Sequence, residues 1–406
     1  MQSLLIIGYV WPEPTATAAG SRMLQIIEQF QLAGYKVTFA SPAQRPSTAF
    51  DLNYIEVEQE TILLNDVSFD EFLKELNPTV VLFDRFMMEE QFGWRVAEIC
   101  PDTIRMLDSE DLHFLRKARQ EAVKKGLDLP QGIIFSEDAK REIASIYRCD
   151  VTLTISEYEM IYLKEVYQIP ETILWYLPFL VQVDKTPTPV FEDRQDFLFI
   201  GNFIHAPNWD AVLQLKQVVW PAIKKQIPKA QIHIYGGYPS DKVFQLHNAK
   251  DGFIVHGRAE EVSKVMQQAR VCLAPMRFGA GLKGKLIDAM QNNTPFITTE
   301  IGAEGMFGDV YMETSVAYDD EDFVKKAIQL YTDENLWNIQ IKKGKEILKT
   351  RFNKSVFQKE FSKKLQNLVL NFKIYRNENF IGSMLQHHTL KSSMYLSKWI
   401  AEKNKS

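Results

Sequence analysis

Ala274-Pro-Met-Arg-Phe-Gly-Ala-Gly-Leu-Lys-Gly-Lys-Leu-Ile-Asp-Ala-Met290, running on to Gly302-Ala-Glu-Gly305, is the stretch whose reading decides the fold. Val271, Cys272 and Leu273 lead into it as a short apolar strand, and helical apolar spacing resumes after a loop rich in glycine and lysine. Glycines at 279, 281 and 284 let a backbone approach a ligand closely, and a helix N-terminus offers unpaired N–H groups and a partial positive charge. Lys283 and Lys285 add two point charges. Asp288 follows Lys285 by one helical turn, where a carboxylate accepts hydrogen bonds from ribose hydroxyls. Together these residues describe a site for a nucleoside diphosphate. The plainer alternative is a solvated loop in which Lys285 and Asp288 pair at i,i+3, worth roughly 0.2–0.5 kcal/mol.

Outward from this element, strand and helix alternate. Strands are expected at 197–200, ending at Gly201, at 232–235, ending at Gly236-Gly237, at 253–255, ending near Gly257, and at 296–299 after Pro295. Helices are expected over about 208–219, 260–269, 319–331 and 334–348. The N-terminal half has the same grammar, with strands at 4–7, 37–40, 80–83, 104–107, 151–155 and 173–177. Its helices fall at about 21–32, 69–76 and 89–99, and a further one opens at Ser156-x-x-Glu159, a capping-box pattern. The polar, proline-containing segment 181–196 has no periodicity and reads as a linker. An α/β protein follows: two doubly wound, Rossmann-like domains, 1–180 and 197–370, with a ligand between them at the carboxyl ends of strands.

Beyond a helix over 356–370, residues 371–379 interrupt the periodicity, and 371–406 form an amphipathic tail. Its apolar positions, among them Phe380, Met384, Trp399 and Ile400, are expected to pack on the first domain. Lys391, Lys398, Lys403 and Lys405 keep peripheral contact with a membrane surface open.

A chain of 406 residues with net charge −5 fits two large domains and gives no support for a general nucleic-acid surface. The cysteines at 100, 149 and 272 form no C-x-x-C pair and no zinc spacing, which favours a reducing compartment, the cytoplasm. The N-terminal segment lacks a basic region and a signal-length apolar run, and no window is apolar enough to span a bilayer. His387-His388 has no further ligand at metal spacing, and the acidic run Asp319–Asp322 reads as a helix start, so no metal and no cofactor is expected.

Phe199-Ile-Gly-Asn202, Pro207-Asn208, Trp220-Pro221, Ile234-Tyr-Gly-Gly237, His256-Gly257 and then the opening stretch resemble, in order, the donor domain of family 4 glycosyltransferases with the GT-B fold. The resemblance implies transfer of a sugar from a nucleotide sugar to an acceptor that the sequence leaves unidentified, with retained configuration and without a metal. It places Gly201, Asn202, Arg258, Phe278, Gly279, Gly281, Leu282, Lys283, Lys285 and Asp288 around the donor. Lys285 meets the phosphates, and Asp288 stands where the family's ribose-binding glutamate is usual. The earlier glutamate of the family's pair falls at Ala280, and Glu304 is considered as its substitute. In the N-terminal half, Gly20 and Arg22 are expected to face the cleft and meet phosphate or acceptor.

The polar strand end Asp108-Ser-Glu-Asp-Leu-His113 resembles the acceptor-side segment, which makes Asp111 and His113 candidates near the transferred sugar. Helix capping by Asp108, Asp111 or His113, and a surface pair between Arg258 and Glu261, are the plain alternatives. Two other functions fit a GT-B chain with Ala280 and Asp288: a nucleotide-sugar epimerase, and a catalytically silent protein that binds a nucleotide sugar or a partner.

Overall fold

The computed structural model describes residues 2–127, 135–182, 187–310, 312–387 and 390–403. Seven parallel strands form the first sheet: β1 Ser3–Ile7, β2 Lys36–Ser41, β3 Glu58–Thr61, β4 Val80–Asp84, β5 Ile104–Asp108, β6 Val151–Thr154 and β7 Leu174–Tyr176, in the order 3-2-1-4-5-6-7. Six form the second: β8 Gln195–Ile200, β9 Ile232–Tyr235, β10 Phe253–Gly257, β11 Ala269–Ala274, β12 Phe296–Thr299 and β13 Val316–Ala317, in the order 10-9-8-11-12-13. Leu4 pairs with Val37 on one side and Val80 on the other, and Cys272 lies between Leu198 and Phe296.

Helices cover both faces of these sheets, so central strands such as β1 carry apolar residues at consecutive positions, whereas the edge strand β3, Glu58–Thr61, is polar throughout. On β1, Leu5 and Ile7 join the core on one face, and Leu4 and Ile6 the core on the other. The expected strand–helix grammar is present. Reading periodicity alone overlooked the edge strands β3 and β13 and the helices His113–Lys125 and Glu137–Arg148. The expected helix over 208–219 is a helix Ala206–Gln214 whose next turn, Leu215–Val219, widens to π form before a helix Trp220–Gln226. Pro221 has no N–H to close an ordinary turn there.

Strand order reverses between β1 and β4 and again between β8 and β11. The loops after these strands meet across the cleft, where open α/β sheets bind ligands. The domain boundary needs correcting. Val181 pairs with Asn353, and Val181 N–H donates to the Phe352 carbonyl (2.7 Å), so the chain crosses between domains at 181 and returns at 353 rather than after 370.

The helix Lys354–Glu378 already belongs to the first domain, with Phe361, Leu365 and Leu368 buried in its core. It runs unbroken through 371–379, where an interruption is expected. No proline or glycine stops it, and Arg376 pins its end to Asp150 and to the carbonyls of Pro101 and Thr103. The helix Phe380–Gln386 packs next to helix Glu137–Arg148, with Asn379 Nδ2 donating to the Tyr147 carbonyl (2.7 Å). Phe380 and Met384 are exposed, as are Met394, Leu396, Trp399 and Ile400 on the last described helix, Leu390–Lys403, so none of the apolar positions named above as packing on the first domain is buried there. The shorter helix is held instead by Leu385 and by the side chains of Asn379 and Gln386. His388 and Lys405 lie outside the described residues. Among the described residues, no helix is long and apolar enough to cross a membrane.

Candidate functional site

The opening stretch folds as β11, a loop over 275–283 and the helix Gly284–Gln291, with Lys283 at the N-cap position. Lys285 Nζ donates to Asn208 Oδ1 (2.6 Å), lies 3.8 Å from Met276 Sδ and sits 5.1 Å from the centre of the Phe199 ring. No carboxylate among the described residues pairs with it. Burial pushes its pKa down to about 8, a cost that Asp288 offsets only in part. Asp288, one turn on, is pushed up to about 7 by burial, against the pull of Lys285.

Gly201 makes this arrangement possible. A methyl group there would stand 2.7 Å from Asn208 Cγ, so only glycine leaves room for the amide that holds Lys285. Asn208 Nδ2 in turn donates to the Asn202 carbonyl (2.9 Å), while Asn202 Oδ1 accepts from Ile204 N–H. Asn208 served above only to mark a family likeness, and its role is legible only in three dimensions.

Lys283 differs from expectation. Its Nζ donates back to the carbonyls of Gly281 (2.8 Å) and Ala280 (3.3 Å), so this buried ammonium braces its own loop instead of facing the cleft. Burial lowers its pKa to about 8, while Glu304 and Glu159 pull it upward. Phe278 is buried, and Leu282 lies in the second domain's core, so both shape the loop.

The glycines of the loop face protein. A Cβ on Gly281 (φ +62°) would stand 2.8 Å from Asp111 Cβ, and one on Gly284 would stand 2.7 Å from Ala18 Cβ. Ala18 and Gly284 both begin helices, so two positively polarised N-termini abut across the cleft. A Cβ on Gly279 would meet nothing closer than Lys283 Cε at 3.4 Å. Arg258 reaches over from the end of β10 and donates to Thr15 Oγ1 in the first domain (2.5 Å), while Glu261 pairs with Lys264.

On the first domain, the expectation for Arg22 fails. Its guanidinium is fully buried, bound to Asp108 (2.8 Å) and to the Leu177 carbonyl (2.6 Å), and has no access to a phosphate. Gly20 packs on the backbone of Glu13, where a Cβ would stand 2.5 Å from the carbonyl carbon, so it too is a packing glycine. Asp111 and His113 are brought together: His113 Nε2 lies 3.4 Å from Asp111 Oδ1, and Arg116 binds the other oxygen. Burial resists ionisation of Asp111, but Arg116 and His113 hold its carboxyl below the usual range. Burial pushes the His113 imidazole down to about 3, leaving it neutral at pH 7.

Neither residue caps the helix His113–Lys125. Glu142 does, accepting from the N–H groups of His113 and Phe114. His205, exposed at the edge of the second domain, faces Arg116 across the cleft, and crowding by the surrounding protein followed by the Arg116 charge pushes its imidazole below the ordinary value. Glu110 (φ +59°) is pushed up to about 8 by burial and by Asp108 and Asp84, against Arg85 and Arg22. Arg85 (φ +71°) lies 5.0 Å over the Tyr9 ring. Left-handed backbone at two polar residues of one cleft is strain of the kind held at functional sites.

Two further residues join the domains, Arg119 without any signal in the sequence and Glu159 under a misleading one. Arg119 donates to the Gly279 carbonyl (2.8 Å) and, through both terminal nitrogens, to Glu304 (2.7 Å each). Glu304 is therefore held by an arginine and is no substitute for the missing glutamate at Ala280. Glu159 Oε1 accepts from Leu112 N–H and Gly281 N–H (2.8 Å each), so the capping-box glutamate ties the two domains together instead of capping its helix.

Residues 194–333 match the family described as Glycosyl transferases group 1. The second domain is a group 1 glycosyltransferase domain. A 44.6 kDa protein encoded in the cps region of Klebsiella pneumoniae, itself uncharacterized, is 29% identical over 142 residues, a match covering 33% of this chain and 36% of that protein. Among solved structures, sucrose-phosphate synthase of Thermosynechococcus elongatus superposes with a TM-score of 0.68 at 15% identity, covering 91% of this chain and 99% of the other. HepE of Anabaena, solved in complex with UDP and glucose, gives 0.68 at 9% identity and covers 91% and 100%. These likenesses establish the GT-B fold around the glycosyltransferase domain.

Proposed function

We propose that the protein transfers a sugar from a nucleotide sugar to an acceptor, with the donor diphosphate lying between the loop 275–283 and the start of helix Ala18–Leu32. One observation carries this reading: Lys285 is a partly buried cation held by a neutral amide at a helix N-terminus, with no carboxylate among the described residues in salt-bridge contact with it. An arrangement of that kind is complementary to an anion. When the bond to the sugar breaks, the charge that develops on the departing diphosphate meets Lys285 and the unpaired N–H groups of the first turn. Protein groups thus supply the positive charge, and we infer that the reaction needs no metal.

Asp288 accepts from the donor's ribose hydroxyls, and neutral His113, oriented by Asp111, hydrogen-bonds the sugar undergoing transfer. We infer retention of configuration from the family likeness, with the leaving phosphate taking the acceptor's proton. A cytoplasmic location and a role in glycan assembly fit three buried free cysteines and the relative from the cps region. Peripheral contact with an anionic lipid surface is proposed for helix Leu390–Lys403, whose exposed Leu396, Trp399 and Ile400 stand among lysines in a chain of net negative charge. Co-sedimentation with phosphatidylglycerol vesicles that persists after Trp399→Ser would refute it.

Incubation with a panel of UDP-, GDP- and ADP-sugars tests the main proposal. Release of nucleotide supports it, formation of an epimer supports the isomerase, and thermal stabilisation without turnover supports a binding protein. Absence of any donor-dependent stabilisation would overturn the site assignment itself.

A further inference from the structure

The donor loop does not hold its own shape. Its Gly279 carbonyl is bound by Arg119 and its Gly281 N–H by Glu159, both from the first domain, while Lys283 braces the carbonyls of Ala280 and Gly281 from within. Arg119 is the most heavily committed of these groups. Four hydrogen bonds leave its two terminal nitrogens: to the Gly279 carbonyl (2.8 Å), to the two Glu304 oxygens (2.7 Å each) and to Tyr158 Oη (3.1 Å). Its guanidinium carbon also lies 5.5 Å from the centre of the Tyr158 ring. The side chains of Arg119 and Glu304 are only 8% and 16% exposed, so neither is a rim charge whose pairing is optional.

We propose that Arg119 is a positioning residue for donor binding: its grip on Gly279 and Glu304 gives the donor loop its binding shape only when the two domains are closed. This inference rests on the sugar-transfer reading and deepens it. The helix His113–Lys125 carries His113 at one end and Arg119 six residues on, about 9 Å along the axis. A single rigid element therefore places the sugar-side imidazole and fixes the loop that holds the diphosphate. Closure by this route couples the two halves of the site through a planar fork. Lysine, whose three donors share one nitrogen, cannot reproduce the two-nitrogen fork that grips both carboxylate oxygens and a carbonyl at once.

The test uses the full chain with UDP, GDP and ADP as probes. Dyes on cysteines introduced at the exposed positions Leu64 and Ile339 report the interdomain distance, since the native cysteines 100, 149 and 272 are all buried. Arg119→Met is expected to lengthen the distance without ligand and to raise the Kd of the diphosphate that binds the parent chain about tenfold. Arg119→Lys should recover only part of both effects, and Glu304→Gln should add little once Arg119 is gone. If Arg119→Met folds poorly, Arg119→Lys and Glu304→Gln give the same readouts. Unchanged distance and Kd in a folded variant would overturn the proposal, as would full recovery by lysine. If the parent chain binds none of the three diphosphates, the sugar-transfer reading falls, and the distance measurement still decides whether Arg119 holds the domains closed.

Discussion

Lys285→Met separates a lysine that serves chemistry from one that serves folding. Methionine keeps much of the stem's volume while removing the charge and the donor to Asn208 Oδ1 at 2.6 Å. Two opposing effects on stability are similar in size. Burial pushes the ammonium from 10.5 down to about 8, so holding it charged near pH 7 costs about 3 kcal/mol relative to water, a cost that the substitution removes. Against this, a hydrogen bond from a charged donor contributes about 1.5–3 kcal/mol, and its loss leaves Asn208 Oδ1 without a donor. The net change should lie within about 1.5 kcal/mol, a shift of a few degrees in the second domain's melting transition.

Transition-state stabilisation has no such offset. Removing one preorganised charge from the leaving diphosphate should lower turnover about 10²–10³-fold. Nucleotide release from whichever donor the panel identifies, measured beside a circular-dichroism melt, gives both quantities. Unchanged turnover removes Lys285 from the mechanism. A fall of more than about 10 °C in melting temperature shows that it is a structural strut, and the reasoning about its free charge is then wrong.

Gly281→Ala should open the domains. Its φ of +62° costs a non-glycine residue about 1–2 kcal/mol, and a Cβ 2.8 Å from Asp111 Cβ adds about 1–3 kcal/mol in the closed form, whereas Gly279→Ala should leave the interdomain distance unchanged. The distance measurement described above distinguishes the two. The pH profile of kcat/KM for the donor should be a narrow bell, rising as Asp288 ionises near 7 and falling as Lys285 loses its proton near 8. Lys285→Arg should move the alkaline limb upward, and a limb that stays near 8 would exclude Lys285 as its source. Arg22→Ala should destabilise the first domain by about 3–5 kcal/mol by leaving Asp108 buried and unpaired, read from a denaturant melt. Intact stability with weakened donor binding would return Arg22 to the phosphate.

What the sequence disclosed and what it hid divide by the range of the interactions involved. Apolar runs such as Leu4–Ile7 and Val80–Phe83 are buried on both faces, so hydrophobicity alone marks them as central parallel strands. The loop at 275–283 is local as well, its glycines, lysines and helix start lying within a dozen residues. Arg119, however, meets Gly279 and Glu304 at separations of 160 and 185 residues, and nothing around Arg119 in the sequence distinguishes it from other surface helix arginines. Glu159 misled in the opposite sense, because a capping-box pattern supplied a local explanation for a carboxylate that works across the cleft. Arg22 and Asp108 each looked like a cleft residue, since a buried ion pair and a ligand site use the same residue types.

The glycines carry the sharpest version of this ambiguity. Absence of a Cβ lets any backbone approach, and one sequence cannot say whether the visitor is a phosphate or another domain. Here the closed form accounts for Gly281, pressed against Asp111, and for Gly284, pressed against Ala18. Gly279 is left for the ligand, since a Cβ there would make ordinary contacts with the end of Lys283 and with Ile301 and meet no residue of the first domain within 4 Å. A loop that must admit a diphosphate while the cleft is open and hold it beside the first domain once the cleft shuts needs glycine for both reasons. The two can be separated only by substituting each position in turn and reading domain closure apart from donor affinity.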